Sequence, residues 1–163
     1  MRIVGAVLVA FGAALLGRYW VFRLRTREEN LAALLRLISR IQTELEYNSP
    51  PMDALLESLY SADKALDFLL DCRENMETGV SFPEAWERAV QTLAISGEDR
   101  KSLITFGAGL GTTDVAGQSR QCRLYREIFA KSHANAESER KKYAAYLPKL
   151  SLLLGLCCGI LLL

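Results

Sequence analysis

The chain has 163 residues, half of them apolar, and its 20 Lys and Arg are nearly balanced by 19 Asp and Glu. That length suits one domain, the chain shows no disordered linker, and a net charge of +1 gives no sign of a nucleic-acid-binding surface. Cys72, Cys122, Cys157 and Cys158 lack a C-x-x-C spacing, which argues against a metal ribbon or a disulfide scaffold and leaves them as small apolar residues.

Apolar residues concentrate at the two ends. Residues 3–17 form an uncharged run that Tyr19-Trp20-Val21-Phe22 extends past Arg18 to about 20 residues, the length of a bilayer-crossing helix. A signal peptide is the competing reading, but Tyr19-Trp20 and then Arg23, Arg25 and Arg27 stand where a cleavage site needs small residues. Residues 143–163 carry Lys149 as their only charge and finish SLLLGLCCGILLL. This second run reads as a span in preference to a core or membrane-surface helix, because it has no polar face after Ser151. Arg18, Arg23, Arg25 and Arg27 flank the inner side of the first run, and Arg140, Lys141, Lys142 and Lys149 that of the second. The expected layout is therefore an N-terminal transmembrane helix (1–22), a cytoplasmic helical bundle (23–142) and a C-terminal transmembrane helix (143–163), with both termini across the membrane.

Between these runs the periodicity is helical throughout. Leu31, Leu34, Ile38, Ile41 and Leu45 alternate spacings of three and four, the seam of a helix that can continue from the first span and stop at Tyr47-Asn48-Ser49, before Pro50 and Pro51. Ser49 is the expected cap of a short second helix through Leu59, with Pro50 in its first turn. A third is expected from Asp63 to Glu77, closed by Gly79; Ser81-Phe82-Pro83-Glu84 reads as a capping box opening a fourth, with Ala85, Trp86, Ala89, Val90 and Leu93 on one face. Ser96-Gly97 breaks that helix, and Glu98-Asp99 suits the first turn of a fifth. The sixth starts at Asp114, places Val115, Gln118, Cys122, Tyr125, Ile128 and Phe129 at helical spacing, and meets no breaker until Pro148. With no alternating strand pattern, the fold class is all-α, an antiparallel bundle of about six helices.

Leu103 to Gln118, LITFGAGLGTTDVAGQ, invites a phosphate-loop reading. A P-loop requires Lys and Ser/Thr after its last glycine, and a dinucleotide loop requires a preceding strand; Gly111 is followed by Thr112-Thr113-Asp114, and the flank is helical. The better reading is a corner, with Gly111 as a left-handed helix end, Asp114 as the next N-cap, and Gly107 and Gly109 allowing close helix contact. Elsewhere the catalytic inventory is thin. His133 is the only histidine and lies in a charged stretch, while Glu44 with Glu46 and Glu137 with Glu139 point to different helix sides. No catalytic, cofactor-binding or metal-ligating residue is assigned, and enzyme activity is disfavoured.

Several local patterns coincide in order between the terminal runs: Glu44-Leu45-Glu46-Tyr47 leading to Pro50-Pro51-Met52-Asp53-Ala54-Leu55, then Glu84-Ala85-Trp86, then Phe106-Gly107 with Leu110-Gly111, then Asp114 through Gln118. Together they resemble the stage III sporulation protein AB family over almost the whole chain. The departures are small: Thr113 stands where the family often has Ser, and Asn48 to Met52 reads Asn-Ser-Pro-Pro-Met where it often has Thr-Pro-Leu-Pro.

The resemblance implies a component of the secretion-like channel complex that connects mother cell and forespore in endospore formation. Its soluble domain would be similar to the cytoplasmic domains of the type II secretion system F protein. The implied role is a non-enzymatic membrane platform that engages a cytoplasmic secretion-type ATPase and other stage III sporulation subunits, and a homo-oligomer is compatible with it. The motif and joint residues are Tyr47, Pro50, Ala85, Trp86, Gly107, Leu110 and Gly111. Glu84, Asp114 and Gln118 are the candidates for partner contact, with capping and helix-to-helix bonding as their competing role. A generic membrane-tethered adaptor outside sporulation, a membrane enzyme using Glu and Cys, and a soluble protein whose terminal runs are oligomerisation helices remain the rival readings.

Overall fold

The structure, a computed structural model, describes the backbone of residues 2–48, 51–63 and 66–161, with side chains at 12, 15, 17–146 of that backbone and 150. It contains six helices in the order α1 (Arg2–Tyr47), α2 (Met52–Ala62), α3 (Phe68–Glu77), α4 (Phe82–Val90), α5 (Gly97–Gly109) and α6 (Val115–Leu161). Among the described residues there is no strand, so the chain is all-α. The backbone divides into two compact units, residues 27–134 and residues 1–26 together with 135–163. Both α1 and α6 are continuous helices through that division. The side chains of most of the two apolar runs, and of Pro148, Cys157 and Cys158, lie outside the described residues. Among the described residues no helix is long and apolar enough to cross a membrane.

In the central unit the expected seam of α1 is buried in full: Leu31, Leu34, Ile38, Ile41 and Leu45, widened by Ala33 and Leu37. A face broader than a two-position stripe is what a helix covered by several neighbours needs. α3 packs against both α2 and α4, and α4 packs against α5. Leu55, Leu56 and Leu59 of α2, Phe68, Leu69 and Cys72 of α3, and Ala85, Trp86, Ala89 and Val90 of α4 fill the space between them.

The short helices differ from their expected bounds for local reasons. Ser49 and Pro50, expected to open the second helix, lie outside the described residues; α2 begins at Met52 with Pro51 as an extended N-cap and no side-chain cap. It runs past Leu59 to Ala62, where Asp63 turns extended at φ −143° and ψ 93°. Asp63 therefore ends α2 instead of starting the third helix, and its carboxylate meets Arg36 of α1 at 2.8 Å. α3 starts only at Phe68. It finishes on Gly79 at φ +90°, with Val80 N–H donating to Asn75 and Gly79 N–H to Met76, a Schellman closure.

The two N-caps of α4 and α5 exchange the roles the sequence suggests. Ser81 is the N-cap of α4, but its side chain makes no cap bond, and Glu84 pairs with Arg88 at 2.6 Å instead of reaching back. The reciprocal arrangement forms at α5. There the Ser96 hydroxyl accepts the Asp99 N–H at 3.1 Å and donates to the Asp99 carboxylate at 2.6 Å. That carboxylate, only 4% exposed, also faces the Arg27 guanidinium at 3.4 Å, which ties the start of α5 to α1.

Candidate functional site

The α5–α6 corner is built from its glycines outward. Trp86 of α4 packs against the backbone of α5: its indole N–H donates to the Leu103 carbonyl at 2.9 Å, and a Cβ at Gly107 would collide with Cδ1 and Nε1 of the ring. Phe68, Phe82 and Phe106 surround the same indole at ring-centre distances of 5.3, 5.6 and 6.5 Å, and Tyr125 of α6 continues the cluster from Phe106 at 5.2 Å. These are tilted or edge-on pairs, the geometries that the ring quadrupoles favour. Gly109 is filled in the same manner by Gln121 of α6, which donates to the Phe106 carbonyl at 3.1 Å. Each missing side chain is thus replaced by one from a neighbouring helix.

The turn itself differs in detail from a left-handed helix end at Gly111. α5 stops at Gly109, Leu110 is extended at φ −67° and ψ 131°, and Gly111 has φ +78°. With Thr112 N–H bonded to the Gly109 carbonyl at 3.4 Å, this is the pattern of a type II turn, whose third position favours glycine. Leu110 turns inward and is buried, and Met52 at the start of α2 lies beside Gly111, its Cε 3.8 Å from where a Cβ would be. Asp114 caps α6 as expected, its carboxylate accepting the Gly117 N–H at 2.9 Å. A Cβ at Gly117 would stand 2.8 Å from that same carboxylate oxygen and from Thr113 Oγ1, so the glycine makes room for its own cap.

Of the candidate contact residues, Glu84 and Asp114 are exposed, and no bond joins them. Glu84 is engaged with Arg88, and Asp114 with the α6 terminus. Gln118 is 8% exposed, and its amide donates to the Thr113 carbonyl at 2.8 Å within the corner. Tyr47 is 82% exposed at the end of α1; Ala85 and Trp86 are buried; Pro50 lies outside the described residues.

One polar cluster escaped the sequence reading. Ser119 of α6 donates to Glu46 of α1 at 2.5 Å, Gln42 donates to both at 3.0 and 3.1 Å, and Arg123 donates to Ser119 at 3.2 Å. The Ser119 hydroxyl, followed by the Gln42 amide and the nearby Arg123 charge, holds the Glu46 carboxyl below its ordinary pKa of 4.5 despite the opposing desolvation. No local spacing relates residues 46 and 119; only the folded pairing of α1 with α6 does. A second feature is an open cleft of about 700 Å³ between α1 and α2, lined by Leu35, Leu37, Arg40, Leu59 and Leu66 among others.

The reactive inventory stays small. Burial raises the Cys72 thiol to about 12 and, with Glu46 adding to the effect, the Cys122 thiol to about 11, so both are neutral packing groups at physiological pH. Among the described residues no group of three or more His, Cys, Asp or Glu side chains converges in a metal-binding arrangement.

Compared with known proteins, residues 2–163 match the family described as stage III sporulation protein AB. A solved structure titled "Stage III sporulation protein AB" shares the fold at a TM-score of 0.62 and 19% identity, covering 72% of this chain and 98% of its own. No curated protein matches the chain.

Proposed function

The chain belongs to the stage III sporulation protein AB family, and from that premise we propose that it is a non-enzymatic platform of a secretion-like channel complex between mother cell and forespore. Its two apolar terminal runs anchor it in the membrane, its central unit lies on the cytoplasmic, mother-cell side, and that unit engages a secretion-type ATPase together with other stage III subunits.

The observation that carries this reading is the continuity of α1 and α6. Each helix belongs partly to the terminal unit and partly to the central unit, without a break in either. In this reading the helical backbone would be the route by which a contact made at the bundle reaches the terminal runs. Two further observations fit a scaffold better than an enzyme. The buried thiols are held in their unreactive form, and the glycine corner is filled by Trp86 and Gln121.

Site-specific photocrosslinking in sporulating cells tests the partner directly. A photoreactive residue placed at Tyr47, Glu84 or Glu87, all exposed in the central unit, is expected to yield an adduct with the ATPase from at least one position. Adducts with membrane subunits alone, from a set of positions covering every helix of the unit, would overturn ATPase engagement.

A further inference from the structure

The whole-chain charge of +1 conceals a segregation. Residues 1–26 and 135–163 contain eight Lys and Arg against Glu137 and Glu139, a balance of +6. Residues 27–134 contain the other 12 basic and 17 acidic residues, a balance of −5, and the two figures return +1. The positive charge of the terminal unit is also concentrated: Arg18, Arg23 and Arg25 fall within two turns of α1, and Arg140, Lys141 and Lys142 are consecutive on α6.

Large rings stand in the same two places. Tyr19, Trp20 and Phe22 on α1, with Tyr143 and Tyr146 on α6, are all exposed, Trp20 at 58% and Phe22 at 67%. Arg18, Arg23 and Lys142 are exposed as well, and among the described residues none of the three has an acidic partner. At 100° per residue, Arg18, Tyr19, Trp20, Phe22 and Arg23 spread over about 200° of the helix circumference, wider than a single stripe. A narrow one-sided groove would leave part of that arc in water. A headgroup layer, which meets a helix from every side, accommodates all of them, because amphipathic rings and snorkelling cations prefer the same depth.

We infer that residues 18–25 and 140–146 form a headgroup-level belt that gathers acidic phospholipids around the chain. The rings suit any bilayer; the unpaired cations select the anionic lipid, since basic segments next to a membrane are drawn to acidic headgroups. This inference rests on the membrane anchoring proposed above.

Trp20 supplies the test. The full-length chain is reconstituted into phosphatidylcholine vesicles containing equal mole fractions of brominated phosphatidylcholine or brominated phosphatidylglycerol, and tryptophan fluorescence is measured. The other tryptophan, Trp86, is buried in the central unit and contributes a constant background. Brominated phosphatidylglycerol should quench Trp20 at least about twofold more strongly, with the difference shrinking at high salt. The preference should vanish in the triple variant Arg18→Gln, Arg23→Gln, Lys142→Gln and persist in the charge-conserving pair Arg18→Lys, Arg23→Lys. Equal quenching by the two lipids in the wild-type chain would overturn the belt while leaving the membrane reading in place. Absence of quenching by either lipid would overturn both.

Discussion

At the scale of single residues, the corner between α5 and α6 shows how a glycine can be required by what lies across from it. Gly107 is helical and needs no special φ; its constraint is the indole of Trp86, a rigid ring held by its own hydrogen bond to Leu103. Gly107→Ala should therefore lower stability by about 1–3 kcal/mol, the range for overpacking a close-packed core, although Ala is the better helix former. A urea midpoint unchanged from wild type would show that the indole can move aside. Gly117 presents the same competition at the surface. Alanine there would gain about 1 kcal/mol of helix propensity. Its Cβ, however, would crowd the Asp114 carboxylate, and a lost cap costs about the same. With Thr113 obstructing as well, Gly117→Ala should destabilise the wild type, and by less in an Asp114→Ala background. Equal effects in the two backgrounds would show that the cap and the glycine are independent. The glycine spacing alone disclosed a tight joint but could not say which side chain fills each position, because Trp86 and Gln121 come from other helices.

At the scale of elements, periodicity was a good guide where a face is covered by many neighbours and a poor one at helix ends. The α1 seam from Leu31 to Leu45 and Ala85, Trp86, Ala89 and Val90 are buried as expected, because a long apolar stripe has only one way to leave water, while Leu93, expected on the same face, lies past the end of α4 and is only partly buried. On α6 the buried line is Gln118, Ser119, Cys122 and Phe129, while Val115 and Ile128 are exposed. Polar residues at an interface break the apolar pattern, and the Gln42–Glu46–Ser119–Arg123 cluster left no local sign of itself. Caps are decided by competition that spacing does not record: Glu84 has Arg88 four residues on and prefers it, whereas Asp99 has Ser96 behind it and Arg27 across from it. Ser96→Ala should thus cost about 1–2 kcal/mol, through the lost cap and a buried carboxylate short of a donor. Ser81→Ala should be nearly neutral. Chemical denaturation of the two variants side by side checks this, and equal losses would mean that Ser81 caps in solution after all.

At the scale of the whole molecule, the family assignment and the all-α fold agree with the order of motifs from Glu44 to Gln118, and the remaining question is mechanical. The sequence suggests one long helix ending before Pro50 and another with no breaker before Pro148, and α1 and α6 are continuous over Arg2–Tyr47 and Val115–Leu161. A platform that merely displayed a docking face would tolerate a flexible connection; one that transmits a contact would not. The direct measurement is sporulation efficiency after a Gly/Ser insert beside Leu24 or Tyr143, in variants whose central unit retains its wild-type unfolding midpoint. A large loss of sporulation is expected from either insert. Wild-type sporulation with both inserts in place would contradict it.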